Sequence, residues 1–312
     1  PEASPKPKSR SMISSISVSL KGAKAGNYED AKAMMKYIMA AESRRLYDRM
    51  SEDKLNEKQK EQMNSLMSDN MKDTELMTVL WILSSILKEY YGKKVIILID
   101  EYDVPLDKAF ENNYYNEMII LLRNMLEQSL KTNDNLYMAV LTGCLRIARE
   151  SIFTGLNNFN IFSITDQYFD EYFGFTDKEV KEILQYYKVP EAFEQTKKWY
   201  DGYRFGNTDV YCPWDVINHC RALKVEPDAT PQPYWINTSG NYIVKRFIEK
   251  ANQQTRREIE QLIEGKAIQK EIRLELTYNE LDSTIENLWR VLFATGYLTQ
   301  QGKPLKRFLQ SI

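Results

Sequence analysis

Residues 94–103 read KVIILIDEYD, an unbroken apolar run that ends on Asp100-Glu101. Val95, Ile96, Ile97, Leu98 and Ile99 do not alternate with polar residues. A strand with one wet face alternates, so this run predicts a strand buried on both faces of a parallel sheet. Two carboxylates at the C-terminal end of such a strand stand where open α/β sheets form their ligand crevice. The other reading is a strand end that turns polar on reaching solvent. From this string alone both stand.

The flanking segments alternate in kind. ISSISVSL (13–20) intersperses Ile and Val with Ser and reads as a strand. Residues 28–50 repeat apolar side chains at Ala31, Met34, Met35, Ile38 and Met39, the spacing of a helix. Residues 51–73 are highly charged and read as a solvent-exposed helical linker. Leu76 to Tyr91 forms a strongly apolar helix that passes through Gly92 into the 94–99 strand, and Glu111 to Leu130 a further amphipathic helix. LYMAVLT (136–142) reads as a second buried strand and FNIFSI (159–164) as a third. Strand–helix–strand alternation predicts an α/β fold, a parallel sheet with helices on both faces.

After residue 175 the pattern changes. Thr176 is a helix N-cap with Glu179 three residues on, a capping box. The expected organisation is a disordered Pro-, Ser- and Lys-rich leader at 1–12 and an α/β core at 13–175. A mainly α-helical subdomain at 176–300 and a tail at 301–312 complete it.

Composition narrows the chemistry. Across 312 residues the net charge is −2 and the isoelectric point about 5.8, which gives no electrostatic case for nucleic acid or an anionic membrane. No apolar run approaches the roughly 18 residues that a membrane span requires. Cys144, Cys212 and Cys220 are too scattered for a disulfide framework or a zinc ribbon, and are expected as buried free thiols in a reducing cytoplasm. His219 is the single histidine. Chemistry here must therefore run on carboxylates, Lys/Arg and a bound metal.

Three further segments carry polar or aromatic groups. LTGCLRIARESIFTGLNN (141–158) follows the second strand. Thr142 would lie beside Asp100 if the two strands are neighbours. Gly143 lets the backbone come close, and Arg146 and Arg149 supply positive charge suited to phosphate. The alternative is a Thr142 helix cap followed by exposed arginines. WYDGYRFGNTDVYCPWDV (199–216) is expected to pack its aromatics in the core of a loop-rich subdomain, with a base- or ribose-stacking platform as the functional alternative. Basic residues in 245–273 are interleaved with Glu, as on a solvated helix face.

KKVIILIDEYDVPL, LTGCLRIARESIFTGLNN, FGFTDKEV, WYDGYRFG and YCPWDV follow one another along the chain. In that order they resemble the AAA-ATPase-like proteins of bacteria, which are often fused to a C-terminal PD-(D/E)xK nuclease-like domain. The resemblance runs from about residue 13 to 300. It implies a P-loop NTPase-type sheet that uses ATP and Mg²⁺. Asp100 then matches the Walker B aspartate on Mg²⁺, Glu101 the glutamate that activates water, and Thr142 the sensor on the next strand. Arg146, Ser151, Asn157 and Asn158 match signature positions with no role assigned to each.

The family's phosphate-binding loop reads G-x-x-x-x-G-K-[ST], because backbone N–H groups and Lys wrap the phosphates while Ser/Thr ligates Mg²⁺. No such string occurs in the sequence: Gly92-Lys93, Gly265-Lys266 and Gly302-Lys303 are followed by Lys, Ala and Pro. The expected fold is thus a P-loop NTPase-type sheet without its first strand and loop, followed by helices. Either the sheet closes up differently or it keeps an unpaired edge. Two functions follow: an incomplete ATPase that takes nucleotide when a P-loop is supplied, or a non-enzymatic module that binds a protein partner.

Overall fold

Residues 14–144, 159–235, 248–249, 251–272 and 284–301 are described by the computed structural model, and they divide into two units between Phe159 and Asn160. The first unit is built on three parallel strands, β1 (Ser15–Ser19), β2 (Val95–Asp100) and β3 (Leu136–Leu141), in the order β1-β2-β3. Ser19 lies opposite Asp100 and Ile99 opposite Leu141, so the C-terminal ends of all three strands share one edge. Between β1 and β2 run α1 (Tyr28–Tyr47), α2 (Glu57–Met67) and α3 (Asp73–Tyr91). Between β2 and β3 run α4 (Val104–Glu111) and α5 (Tyr115–Leu130).

Local chemistry sets the helix ends. The Asn27 side chain accepts from Asp30 N–H at 3.0 Å, and Asn56 and Gln59 close a reciprocal capping box. Gly92, at φ +68°, ends α3 in the left-handed region and turns the chain toward β2. Helices α1, α3 and α5 touch one another and lie on one face of the sheet. Ile16, Val18, Val95, Ile97 and Ile99 point into that layer and are buried.

The opposite face departs from expectation. Leu98 is 37% exposed, and Met138 and Val140 on β3 are 47% and 42% exposed. Neither β2 nor β3 is therefore buried on both sides within the first unit, where α1, α3 and α5 contact the sheet. A run without alternation reports a strand whose two faces are both apolar; it does not supply the cover. The charged stretch 51–73 is also more than an exposed linker. Leu55, Met63, Leu66 and Met71 are buried, and α2 packs on α1 and α3. Four apolar side chains suffice for that seam, since a two-turn contact needs only a narrow stripe.

The second unit contains α6 (Asp177–Tyr187), α7 (Phe193–Tyr200), α8 (Pro213–Val225), α9 (Gln253–Ile263) and α10 (Asn287–Ala294). An antiparallel hairpin, β4 (Asp201–Phe205) and β5 (Thr208–Tyr211), joins α7 to α8. The Thr176–Glu179 capping box opens α6. Within the aromatic-rich stretch, Tyr200 and Tyr211 enter a core with Val180, Leu184, Val216 and Leu223, whereas Trp199 and Trp214 are about half exposed.

FNIFSI forms no strand: residues 159–164 pair with none of the described strands. The Asp166 carboxylate instead accepts from both the backbone N–H and the hydroxyl of Ser163, and Asp166 N–H donates to Ser163 O at 2.9 Å. Such side-chain bonds hold a turn in competition with an extended ladder. Among the described residues no helix is long and apolar enough to cross a membrane.

Candidate functional site

The common C-terminal edge of the three strands gathers Asp100, Glu101 and Thr142. Pairing between β2 and β3 continues past their ends, with Thr142 N–H donating to Ile99 O at 2.9 Å and Tyr102 N–H to Thr142 O at 3.1 Å. These bonds bring the Thr142 hydroxyl to the exposed Asp100 carboxylate, where Oγ1 donates to Oδ1 at 2.5 Å. The expected adjacency of these two residues is present. With its proton on Asp100, the Thr142 oxygen retains lone pairs that can accept from a water.

Glu101 follows at φ +54°. This is the left-handed region, which costs a non-glycine residue about 1–2 kcal/mol. Val104 N–H donates to Glu101 O at 3.2 Å as α4 begins. Glu101 Oε1 lies 3.9 Å from Lys21 Nζ, whereas Oε2 is buried and has no hydrogen-bond partner among the described residues. Lys21 arrives from the segment after β1, so every strand contributes to this edge.

Asp103, not singled out by sequence, completes the arrangement together with Gly143. Asp103 is 4% exposed, and its Oδ2 accepts from Cys144 N–H at 2.8 Å. A Cβ on Gly143 would meet Asp103 Oδ1 at 2.7 Å and Tyr102 Cε1 at 2.9 Å. Glycine is thus required at 143 by the side chains of the neighbouring loop, a closer constraint than the general backbone access expected of it. The signal for Asp103 was its place three residues after Asp100, where a strand exit turns into a helix.

The local field is strongly negative. Burial pushes the Asp107 carboxyl above the usual range; Glu111 and Asp103 add to the rise, while Lys108 and Lys24 oppose it. The Cys144 thiol is pushed up to about 11, first by burial and then by Asp103, Glu101, Asp100 and Asp107. Of the three free cysteines only Cys220 is buried; Cys144 is exposed and Cys212 lies between, against the expectation that all are core thiols. The sites of Cys144 and Cys212 are element ends, which sequence alone does not distinguish from a core position.

Among the described residues no group of three or more His, Cys, Asp or Glu is placed to hold a metal ion by itself. Mg²⁺ is commonly held by one or two carboxylates, with waters and phosphate oxygens completing the shell. The exposed carboxylate of Asp100 fits such a demand. Arg146 and Arg149, with Ser151, Asn157 and Asn158, lie outside the described residues.

The second unit has a cavity of about 160 Å³ between β4 and residues 293–299, walled by Phe205, Phe293 and Leu298. It falls below the roughly 300 Å³ at which ligand pockets begin. His219 lies in the interior of this unit, fully buried, with its ring 5.4 Å from that of Tyr200. Neither ring nitrogen of this single histidine has a hydrogen-bond partner among the described residues.

Residues 10–153 match the model of the AAA-ATPase-like family, described as a predicted AAA-ATPase. Among known proteins, the chain is similar to one named as an uncharacterised protein in the vnfD 5′ region of Azotobacter chroococcum mcd 1. The two are 28% identical over 152 residues, which make up 47% of this chain and 27% of that relative. The match thus spans about a quarter of the relative's length. No solved structure matches the chain.

Proposed function

We propose that the C-terminal edge of the sheet is the acidic half of a Mg²⁺-dependent ATPase site. Asp100 holds the metal directly or through water, Glu101 activates the attacking water, and Thr142 orients it. The observation that carries this reading is the 2.5 Å bond from Thr142 Oγ1 to Asp100 Oδ1 at the ends of adjacent parallel strands. The match of residues 10–153 to a predicted AAA-ATPase family supports it.

When bound, Mg²⁺ supplies positive charge to the phosphate oxygens. The chain's own groups then divide the work. Asp100 is exposed at the edge and can reach a cation; Glu101 Oε2 has a free lone pair to take a proton from water; Thr142 accepts from that water while donating to Asp100. The sequence of this chain holds no G-x-x-x-x-G-K-[ST] string to cradle phosphate. Arg146 and Arg149 are proposed for that contact.

The test is calorimetry of Mg²⁺-ATP against this chain and its Asp100→Ala variant. Binding that disappears in the variant supports a nucleotide site; no binding by the parent chain removes the cradle assigned to the two arginines. Turnover is expected when a P-loop is supplied, and Glu101→Gln should then abolish it while sparing affinity. Unchanged turnover in that variant would sink the role given to Glu101.

A second reading has its own observation. Leu98, Met138 and Val140 form an exposed apolar strip on the sheet face away from the helices. Such a strip fits a non-enzymatic module that binds a protein partner. Stable complex formation without nucleotide, lost when Val140 is made polar, would favour it.

A further inference from the structure

We propose that Asp103 is the positioning residue of this edge, the group that seats Thr142 on Asp100. The inference rests on the ATPase reading for its consequence, but its geometry stands alone. Thr142 is the first residue beyond β3, and its backbone bonds with Ile99 and Tyr102 bring it beside Asp100 but leave the loop that follows it unfixed. The next two residues settle the matter. Cys144 N–H is captured at 2.8 Å by Asp103 Oδ2, and Gly143 lies so close beneath Asp103 and Tyr102 that a single methyl group would strike both. The backbone from 142 to 144 is therefore fixed from two sides, by a hydrogen bond and by contact.

Asp103 is itself immobile. It is 4% exposed and stands at the start of α4, with its carbonyl accepting from Leu106 N–H at 3.1 Å and Asp107 N–H at 2.9 Å. The loop after β3 is thus anchored to the first turn of the helix that follows β2. The same short connection carries Asp100, Glu101 and Asp103, so metal-binding, water-activating and positioning groups share one backbone segment. In this proposal Asp103 acts through the Thr142–Asp100 bond rather than on the reacting atoms.

The test uses the full chain and variants placed on either side of the contact. Asp103→Ala removes the acceptor, Asp103→Asn keeps an oxygen acceptor without charge, and Gly143→Ala pushes the loop away. Hydrogen exchange of the 142–144 amides should quicken by about tenfold or more in Asp103→Ala, the loss of one hydrogen bond to a charged group. Protection of β2 and α5 should hold. The Thr142 hydroxyl proton, held at 2.5 Å by Asp100, should give a slowly exchanging NMR signal in the parent chain. That signal should vanish in Asp103→Ala and Gly143→Ala and return in Asp103→Asn. The Asp103→Ala/Gly143→Ala double variant should be less defective than the two single effects combined, because the first change removes part of the clash made by the second.

A hydroxyl signal that survives Asp103→Ala would overturn the proposal. So would a loss in Asp103→Asn equal to that in Asp103→Ala, or a general rise in exchange across β2 and α5, which marks a merely structural residue. Mg²⁺-ATP calorimetry on the same variants keeps the two claims apart. Absence of nucleotide binding in the parent chain sinks the ATPase reading, while the amide and hydroxyl data decide the positioning role by themselves.

Discussion

Glu101 is where chemistry and backbone conformation are in tension. At φ +54° an L side chain is disfavoured, yet the position carries the carboxylate assigned to water. Glycine has no such penalty, so Glu101→Gly should stabilise the first unit by about 1 kcal/mol while removing the base. Chemical denaturation monitored on that variant checks the prediction; a loss of stability would mean that the Lys21 contact outweighs the strain. The polar residues at this edge were legible because each ends an apolar run, and two such runs in one parallel sheet place Asp100 beside Thr142. Asp103 and Gly143 were not legible in the same way. Their contact depends on how two loops fold back on each other, and no periodicity records that path.

Elements depend on their edges as much as on their patterns. Among the described residues β1 is an edge strand of its sheet, and a buried carboxylate on α1 covers part of that edge. Glu42 is 6% exposed; its Oε1 accepts from Ser17 N–H at 2.8 Å, and it is bridged by Arg45, which also donates to Ser15 O at 3.2 Å. Truncation would leave Ser17 N–H without its acceptor and the guanidinium with Ser15 O but no carboxylate. Glu42→Ala should therefore cost about 2–3 kcal/mol, read by urea denaturation. In the second unit, α8 carries His219 into an apolar core beside Tyr200 on α7, with Asp215 one turn away on its own helix and Cys220 next to it. Burial holds the His219 pKa below its ordinary value. The unfolded chain then binds the proton more readily, so this contribution to stability is complete above the unfolded value near 6.5 and is lost as pH falls below it. His219→Phe should flatten the melting temperature between pH 6.5 and 5; an unchanged pH profile would assign the acid sensitivity to other groups. Helices α1, α3 and α6 were readable from apolar spacing and caps, which are local. The segment 159–164 misled because strand formation requires a neighbour, and Ser163 and Asp166 satisfy the backbone there through a turn.

At the scale of the whole molecule, a parallel α/β sheet followed by a mainly helical unit could be read from alternating strand and helix patterns. The covering of that sheet could not. Apolar side chains on both faces of β2 and β3 state that both faces favour an apolar environment, while the helices of the first unit occupy one. Leu98, Met138 and Val140 remain on the other, and exposed aliphatic strips on adjacent strands promote association. Because these side chains contribute little to the core beneath the helices, Met138→Thr with Val140→Thr should change folding stability by less than about 1 kcal/mol. The same pair of changes should reduce concentration-dependent self-association, measured by sedimentation. The two readouts separate two pictures of the molecule. Weaker association at equal stability would mean that the face is open to a partner. A loss of several kcal/mol with no change in association would mean that the strip is packed in solution and belongs to the core of the folded chain.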